Sequence, residues 1–219
     1  MRKMYPWRSS TLSPLASRLD AVLAVYGYEM AAAIDAIDSA VPGFGGLFDP
    51  ATTDGEIRAA VDKILAGDTP SVSERDADPT VTDIVLYVDG SSRGNPGPSG
   101  AGAVLQVGGE SVAELGRPVG SRAENNTAEY AALHLGLEAL VSRYGAATIE
   151  VRIDSMTVIN DIWRDGDGVP AATPYRPGIK NCLAALSACE WTHLADHEPN
   201  PADARATVGA DIAALGPGA

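Results

Sequence analysis

The chain has 219 residues, 45% of them hydrophobic, with 16 basic against 29 acidic side chains and a formal net charge of −13. This is enough apolar mass for one full domain plus a smaller one, which excludes general disorder. The acid excess argues against a nucleic-acid partner held by basic side chains alone, because phosphate binding draws on Lys and Arg.

The basic start, MRKMYPWRSS, is followed by no uninterrupted apolar run. The most apolar stretch, residues 21–37, is flanked by Asp20 and Asp35 and contains Glu29. Neither a signal peptide nor a membrane span is expected, and the expected address is the cytoplasm. Leu12, Leu15, Leu19, Val22, Leu23 and Tyr26 recur at helical spacing; Ile34, Ile37 and Val41 either extend that helix or start another. PGFGG at 42–46 is a break. Thr53 and Asp54 are placed to cap a further helix, with Ile57, Val61, Ile64 and Leu65 on its apolar face and Gly67 at its end. The expected organisation is a helical N-terminal extension over 1–66, a polar, Pro-interrupted linker over 67–82, and a main domain over 83–219.

Residues 84–88, IVLYV, read as a buried strand that ends on Asp89, and the Gly- and Pro-rich run from Gly90 to Gly100 forces a turn. Residues 101–107 return as a second strand and 111–118 read as a third. A carboxylate on a rigid strand beside a tight turn is well placed to hold a metal ion; the alternative is a solvated Asp at a strand end. A helix follows over 128–144, with Leu133, Leu137, Leu140 and Val141 on one face. Glu129 falls in its first turn, where the helix dipole alone would favour an anion. TIEVRI at 148–153 is a further strand ending on Asp154, which either N-caps the helix starting near Met156 or serves as a ligand, the two roles using different oxygens. Residues 166–178 read as a loop, 178–188 as a helix, 190–194 as a short strand, and the last helix carries Asp203. A mixed sheet with helices on its faces is the simplest packing of this order. Cys182 and Cys189, placed on one face of one helix, would lie roughly 10 Å apart, too far for a disulfide, and are expected as buried thiols.

Four segments, VDGSSRGNPGPSGAGAV, NNTAEYAAL, IDSMTVI and NPADARA, occur in that order over about residues 82–214. Together they resemble type I ribonuclease H. The resemblance implies an α/β ribonuclease H-like fold with a five-stranded mixed sheet flanked by helices, and the extension lies outside it. It implies endonucleolytic cleavage of the RNA strand of RNA–DNA hybrids by a two-metal-ion mechanism, leaving 5′-phosphate and 3′-hydroxyl ends. By that resemblance the carboxylates are Asp89, Glu129, Asp154 and Asp203. Asp89 would bridge two Mg²⁺ ions, with Mn²⁺ as a substitute; Glu129 and Asp154 would hold one and Asp203 the other. The physics agrees: four converging carboxylates stay ionised only with cations between them, and hard oxygen donors suit Mg²⁺ or Mn²⁺. Asp196 and Asp211 lie near Asp203, but only Asp203 stands in the Asn-Pro-Ala-Asp context, and Asp211 would face away.

The resemblance also places Asn95, Asn125 and Asn126 along the minor groove of the hybrid, with Gly90 and Ser91 beside them and Arg122 on a DNA phosphate. Simple turn formation is the alternative for the three Asn residues. A His that assists product departure is either His193 or His197; His193 sits in strand-like sequence and is expected to pack, so His197 is preferred, while His134 is expected to be structural. Two departures stand out. Glu124 replaces a small hydroxyl residue beside Arg122, and the region after Asp154 lacks the basic protrusion many members carry. No hybrid-binding domain is visible in residues 1–82, so the extension is left to bind nucleic acid or protein, and a monomer is expected. Only Lys3, Lys63 and Lys180 occur. This low-Lys, acid-rich surface fits a protein built for high salt, where the Debye length falls to about 3 Å near 1 M; a high-GC genome would produce the same Arg bias. The competing functions are a same-fold nuclease acting on double-stranded RNA or RNA–DNA junctions, and a nucleic-acid-binding module without cleavage, against which the four retained acids argue.

Overall fold

The computed structural model describes residues 12–43, 45–67, 83–164, 168–195 and 197–216. The expected linker falls outside them except for Gly67, as does Asp196. Five strands, β1 (Ile84–Ser92), β2 (Gly97–Val107), β3 (Glu110–Ala123), β4 (Thr148–Ile153) and β5 (Ala188–His193), form one sheet in the order β3-β2-β1-β4-β5. β1, β2 and β3 pair antiparallel, whereas β4 runs parallel to β1 and β5 parallel to β4. The mixed sheet expected from the element order is present.

Successive side chains of a strand point to opposite faces, and β2 uses this alternation to seat a helix on each side. Ala103 faces α4 (Asn125–Tyr144), which comes close enough at Gly136 that an added Cβ would lie 2.7 Å from Leu86 and 3.1 Å from Ala103. Gly100 and Gly102 face α7 (Asp203–Ala213), and their missing side chains let its backbone lie directly on the strand. The core between sheet and α4 includes Leu86, Val88, Leu105, Leu133 and Leu137, each at most 1% exposed. Burying each of these contributes about 1.5–3 kcal/mol before the entropy of ordering is counted.

Among the described residues the N-terminal part forms α1 (Pro14–Val25), α2 (Met30–Ala40) and α3 (Asp54–Ala66). Thr53 caps α3 in a reciprocal box with Glu56. Ile34 and Ile37 therefore belong to a new helix, because the chain breaks at Gly27 and Tyr28, whose φ angles are 62° and 64°. That break is used: Tyr28 O accepts from Gly116 N at 3.0 Å and Glu29 bridges to Leu115. Backbone groups along the edge strand β3 are thereby partnered by the extension. Arg117, 7% exposed, lies 4.8 Å from the Tyr28 ring centroid and pairs with Asp20 at 2.8 Å.

Several local expectations are corrected. α4 starts at Asn125, so Glu129 stands beyond the first turn and the helix-end explanation for it lapses. Ser155, not Asp154, N-caps α5 (Met156–Val158), its Oγ accepting from Val158 N, and the helix continues as a π-helical turn over Ile159–Trp163. α6 (Arg176–Ala185) takes the end of the expected loop. Cys182 lies in α6 and Cys189 in β5, so they do not share a helix; both are free thiols, pushed up to about 11 and about 12 by burial. Among the described residues no helix is long and apolar enough to cross a membrane.

Candidate metal centre

β1 does not end on Asp89 but runs on to Ser92; its parallel pairing with β4 stops at Tyr87 and Arg152, and Asp89 and Asp154 stand two residues further along their chains, where the two strands part. α4 crosses β1 at Gly90, where an added Cβ would lie 2.5 Å from Glu129 N and 2.7 Å from Ala128 C. Only glycine admits that approach, and it delivers the third carboxylate. One oxygen from each of Asp89, Glu129 and Asp154 lies within 4.8 Å of the others. Asp203 opens α7 near Asp89, and its charge is among the causes that raise the Asp89 carboxyl. Asn200 fixes this helix end: its Nδ2 donates to Val88 O at 3.0 Å and its Oδ1 accepts from Ala202 N at 3.1 Å.

The electrostatics follow from burial and like charge. Asp89 is 7% exposed, and desolvation, then the charges of Asp154 and Asp203, push its carboxyl from 3.8 to about 7. Glu129, 4% exposed, is raised well above the ordinary carboxylate range by burial, then by Asp89 and Asp154. A backbone hydrogen bond from Gly90 offsets part of both shifts. Glu129 Oε2 is buried with no hydrogen-bond partner among the described residues. A buried carboxylate oxygen without a partner, on a residue that clusters with two other carboxylates, is what a cation site would satisfy. The donors are all carboxylate oxygens, which fits a hard divalent ion rather than zinc.

A pH dependence follows. Asp89 keeps its proton to higher pH when folded than when unfolded, so its contribution to stability falls as pH rises from about 4 to about 7. Urea denaturation midpoints in chelator should therefore decline over that window relative to Asp89→Asn; parallel pH profiles for the two proteins would contradict the shift.

Two of the residues expected on the substrate side form a short chain. Asn95 Oδ1 accepts from Asn125 N at 3.1 Å, and Asn125 Nδ2 donates to Glu129 Oε1 at 3.3 Å. The structure thus joins Asn95 and Asn125 to the cluster, while Arg122 near the end of β3 and Asn126 at the start of α4 are exposed. Ser91 Oγ lies 3.5 Å from Thr207 Oγ1. Asp211, two turns further along α7, is ion-paired with Arg93 and is not one of the clustered carboxylates. His193 is exposed rather than packed, and its Nε2 lies 3.0 Å from Asp154 O. His197 is exposed in the turn beyond, with no hydrogen bond to the cluster among the described residues. His134 is 7% exposed and lowered to about 4 by burial, then by Arg117, and so stays neutral at pH 7. Sequence reasoning passed over Asn200, Gly102 and Thr207; an Asn-Pro just before a helix is the one signal that pointed to the first.

The RNase H family model matches residues 81–210. Ribonuclease HI of Halobacterium salinarum is 40% identical over 131 residues, covering 58% of this chain and 64% of that relative's length. The crystal structure of RNase H1 from halophilic archaeon Halobacterium salinarum superposes with a TM-score of 0.54 at 36% identity, covering 59% of this chain and 98% of the other. The crystal structure of LC11-RNase H1 in complex with RNA/DNA hybrid superposes with a TM-score of 0.53 at 26% identity, covering 59% and 98%.

Proposed function

This chain belongs to the RNase H family, and from that premise we propose that it hydrolyses the RNA strand of RNA–DNA hybrids endonucleolytically, in the cytoplasm, leaving 5′-phosphate and 3′-hydroxyl ends. The observation that carries the reading is the convergence of Asp89, Glu129 and Asp154 on one point, with Asp203 beside Asp89. These four carboxylates would hold two divalent ions, Mg²⁺ by preference and Mn²⁺ as a substitute, with Asp89 shared between them, Glu129 and Asp154 on one and Asp203 on the other. When bound, such a pair activates water and neutralises charge on the scissile phosphate and leaving oxygen.

The chain's own residues do the remaining work. Asn95 and Asn125, linked to Glu129, orient a hybrid whose minor groove offers 2′-hydroxyls on one strand only; Asn126, Gly90 and Ser91 line the same approach and Arg122 meets the DNA strand. His193, held against Asp154 O, is better placed than His197 to take or give a proton as product leaves. The net charge of −13 and the likeness to an archaeal halophile's enzyme support activity at molar salt.

The test is cleavage of end-labelled hybrid, duplex RNA and duplex DNA with Mg²⁺, at low and at molar salt. Cutting confined to the RNA of the hybrid is expected, and is expected to persist at molar salt; binding without cutting, or equal cutting of duplex RNA, would overturn the assignment. Asp154→Asn should leave the circular dichroism spectrum unchanged and abolish turnover, since one lost charge unbalances the ion pair. Unchanged turnover in that variant removes Asp154 from the site.

A further inference from the structure

We propose that the three-helix N-terminal extension is a positioning element of the carboxylate site: it grips the outer face of α7 and so holds Asp203 against Asp89. The inference rests on the reading of Asp203 as a ligand, given above.

α7 presents three stripes. Ala202, Ala206 and Ala210, each fully buried, lie toward β2, where Gly100 and Gly102 admit the helix backbone. Asp203, Thr207 and Asp211 run beside Asp89, Ser91 and Arg93 of the outgoing β1 segment. Val208, Ile212 and Leu215 turn the other way, and Ile212, with no exposed surface, joins the apolar cluster of Leu15, Leu19 and Leu23 from α1 and Val61 from α3. Ser13 Oγ, which caps α1, also donates to Leu215 O just past the end of α7. The grip continues on the strand beneath, where Arg205 of α7 pairs with Glu114, and Glu114 N donates to the Glu29 carboxylate.

The physical need for such a grip lies in the inner face. Alanine and glycine bring the α7 backbone directly onto the strands but bury little apolar area per residue, so larger apolar side chains on the outer stripe add packing that the inner face lacks. Asp203 meanwhile carries a carboxylate toward Asp89 and Asp154, whose like charges oppose it. Apolar packing on the outer stripe opposes that repulsion and keeps the fourth oxygen donor in place before any cation arrives.

The experiment is calorimetric titration of Mg²⁺ into the full chain, Ile212→Ala, Asp203→Asn and the double variant, each checked for its folded circular dichroism spectrum. Ile212→Ala should weaken Mg²⁺ binding by roughly tenfold, the scale of contacts that support a ligand from behind. It should add nothing once Asp203 is Asn. Unchanged binding in Ile212→Ala, or the same loss in both backgrounds, would overturn the inference and leave Ile212 a merely structural residue. If Ile212→Ala does not fold, Ile212→Val is read instead, with a smaller loss that again vanishes with Asp203→Asn. An Asp203→Asn chain that binds Mg²⁺ as the intact chain does removes the inference while the three-carboxylate site stands. Cleavage is not the readout, so failure of the nuclease reading, seen as no cutting by the intact chain, is a separate result.

Discussion

Asp89→Asn is expected to reduce Mg²⁺-dependent cleavage of hybrid by on the order of a thousandfold, the scale of losing a group that organises charge at the reacting centre, and at the same time to raise the melting temperature of the metal-free protein. Both effects come from one cause. Asp89 stands where the other three acids meet, and its carboxyl is pushed from 3.8 to about 7 by burial and by Asp154 and Asp203. That shift corresponds to about 4 kcal/mol of differential interaction as an upper bound. A neutral amide of the same shape removes the repulsion, and each kcal/mol relieved moves the melting temperature by about 2–4 °C at this chain size. The same amide offers no negative oxygen to cations, so stability rises as function is lost. Hybrid cleavage and scanning calorimetry in chelator measure the two arms. Retained turnover, or a lower metal-free melting temperature above neutral pH, would show that the carboxylate is not the strained centre of the cluster.

The second large effect is expected at Gly102, which touches no substrate. It stands opposite Asp89 in the β1–β2 ladder, and a Cβ there would lie 2.5 Å from Ala206 N and closer still to Ala202 O. These are backbone atoms of the first turn of α7, and no rotamer change relieves them. Gly102→Ala should therefore destabilise the fold by about 3 kcal/mol, the upper part of the usual range for overpacking. It should also lift the helix end that carries Asp203 away from the sheet. Chemical denaturation and Mg²⁺ titration of the variant check both consequences; a variant as stable as the parent would mean that α7 shifts freely, and that the tight approach is not what seats Asp203.

How much was legible in the sequence depended on the range of the interaction concerned. The convergence of Asp89, Glu129 and Asp154 was foreshadowed because each candidate acid, Asp203 included, sits in a short segment whose pattern is local: an apolar run followed by an acid, a helix-opening Asn-Asn-Thr, an Asn-Pro-Ala-Asp. The mixed sheet followed from the order of apolar runs. The errors were of two kinds. Asp154 and Ser155 are equally good helix caps by residue type, and only the backbone shows that Ser155 takes the position. Strand-like sequence implies a covered face for His193, but His193 ends an edge strand beside Asp154, and which strand lies at an edge is not a local property.

The amino-acid order by itself determined roughly where most strands and helices lie, because period, β-branching and turn residues act over a few positions, but not their bounds: β1 runs past Asp89 to Ser92. It determined equally that helices precede the main domain. Only the tertiary structure decided that the extension lies on β3 and α7, that Asp211 is engaged by Arg93 rather than the cluster, and that Asn200 pins the last helix to β1. These contacts join residues a hundred or more positions apart in most cases, and their partners are selected by sheet register and by the absence of side chains at Gly90, Gly100 and Gly102, which no short-range pattern encodes.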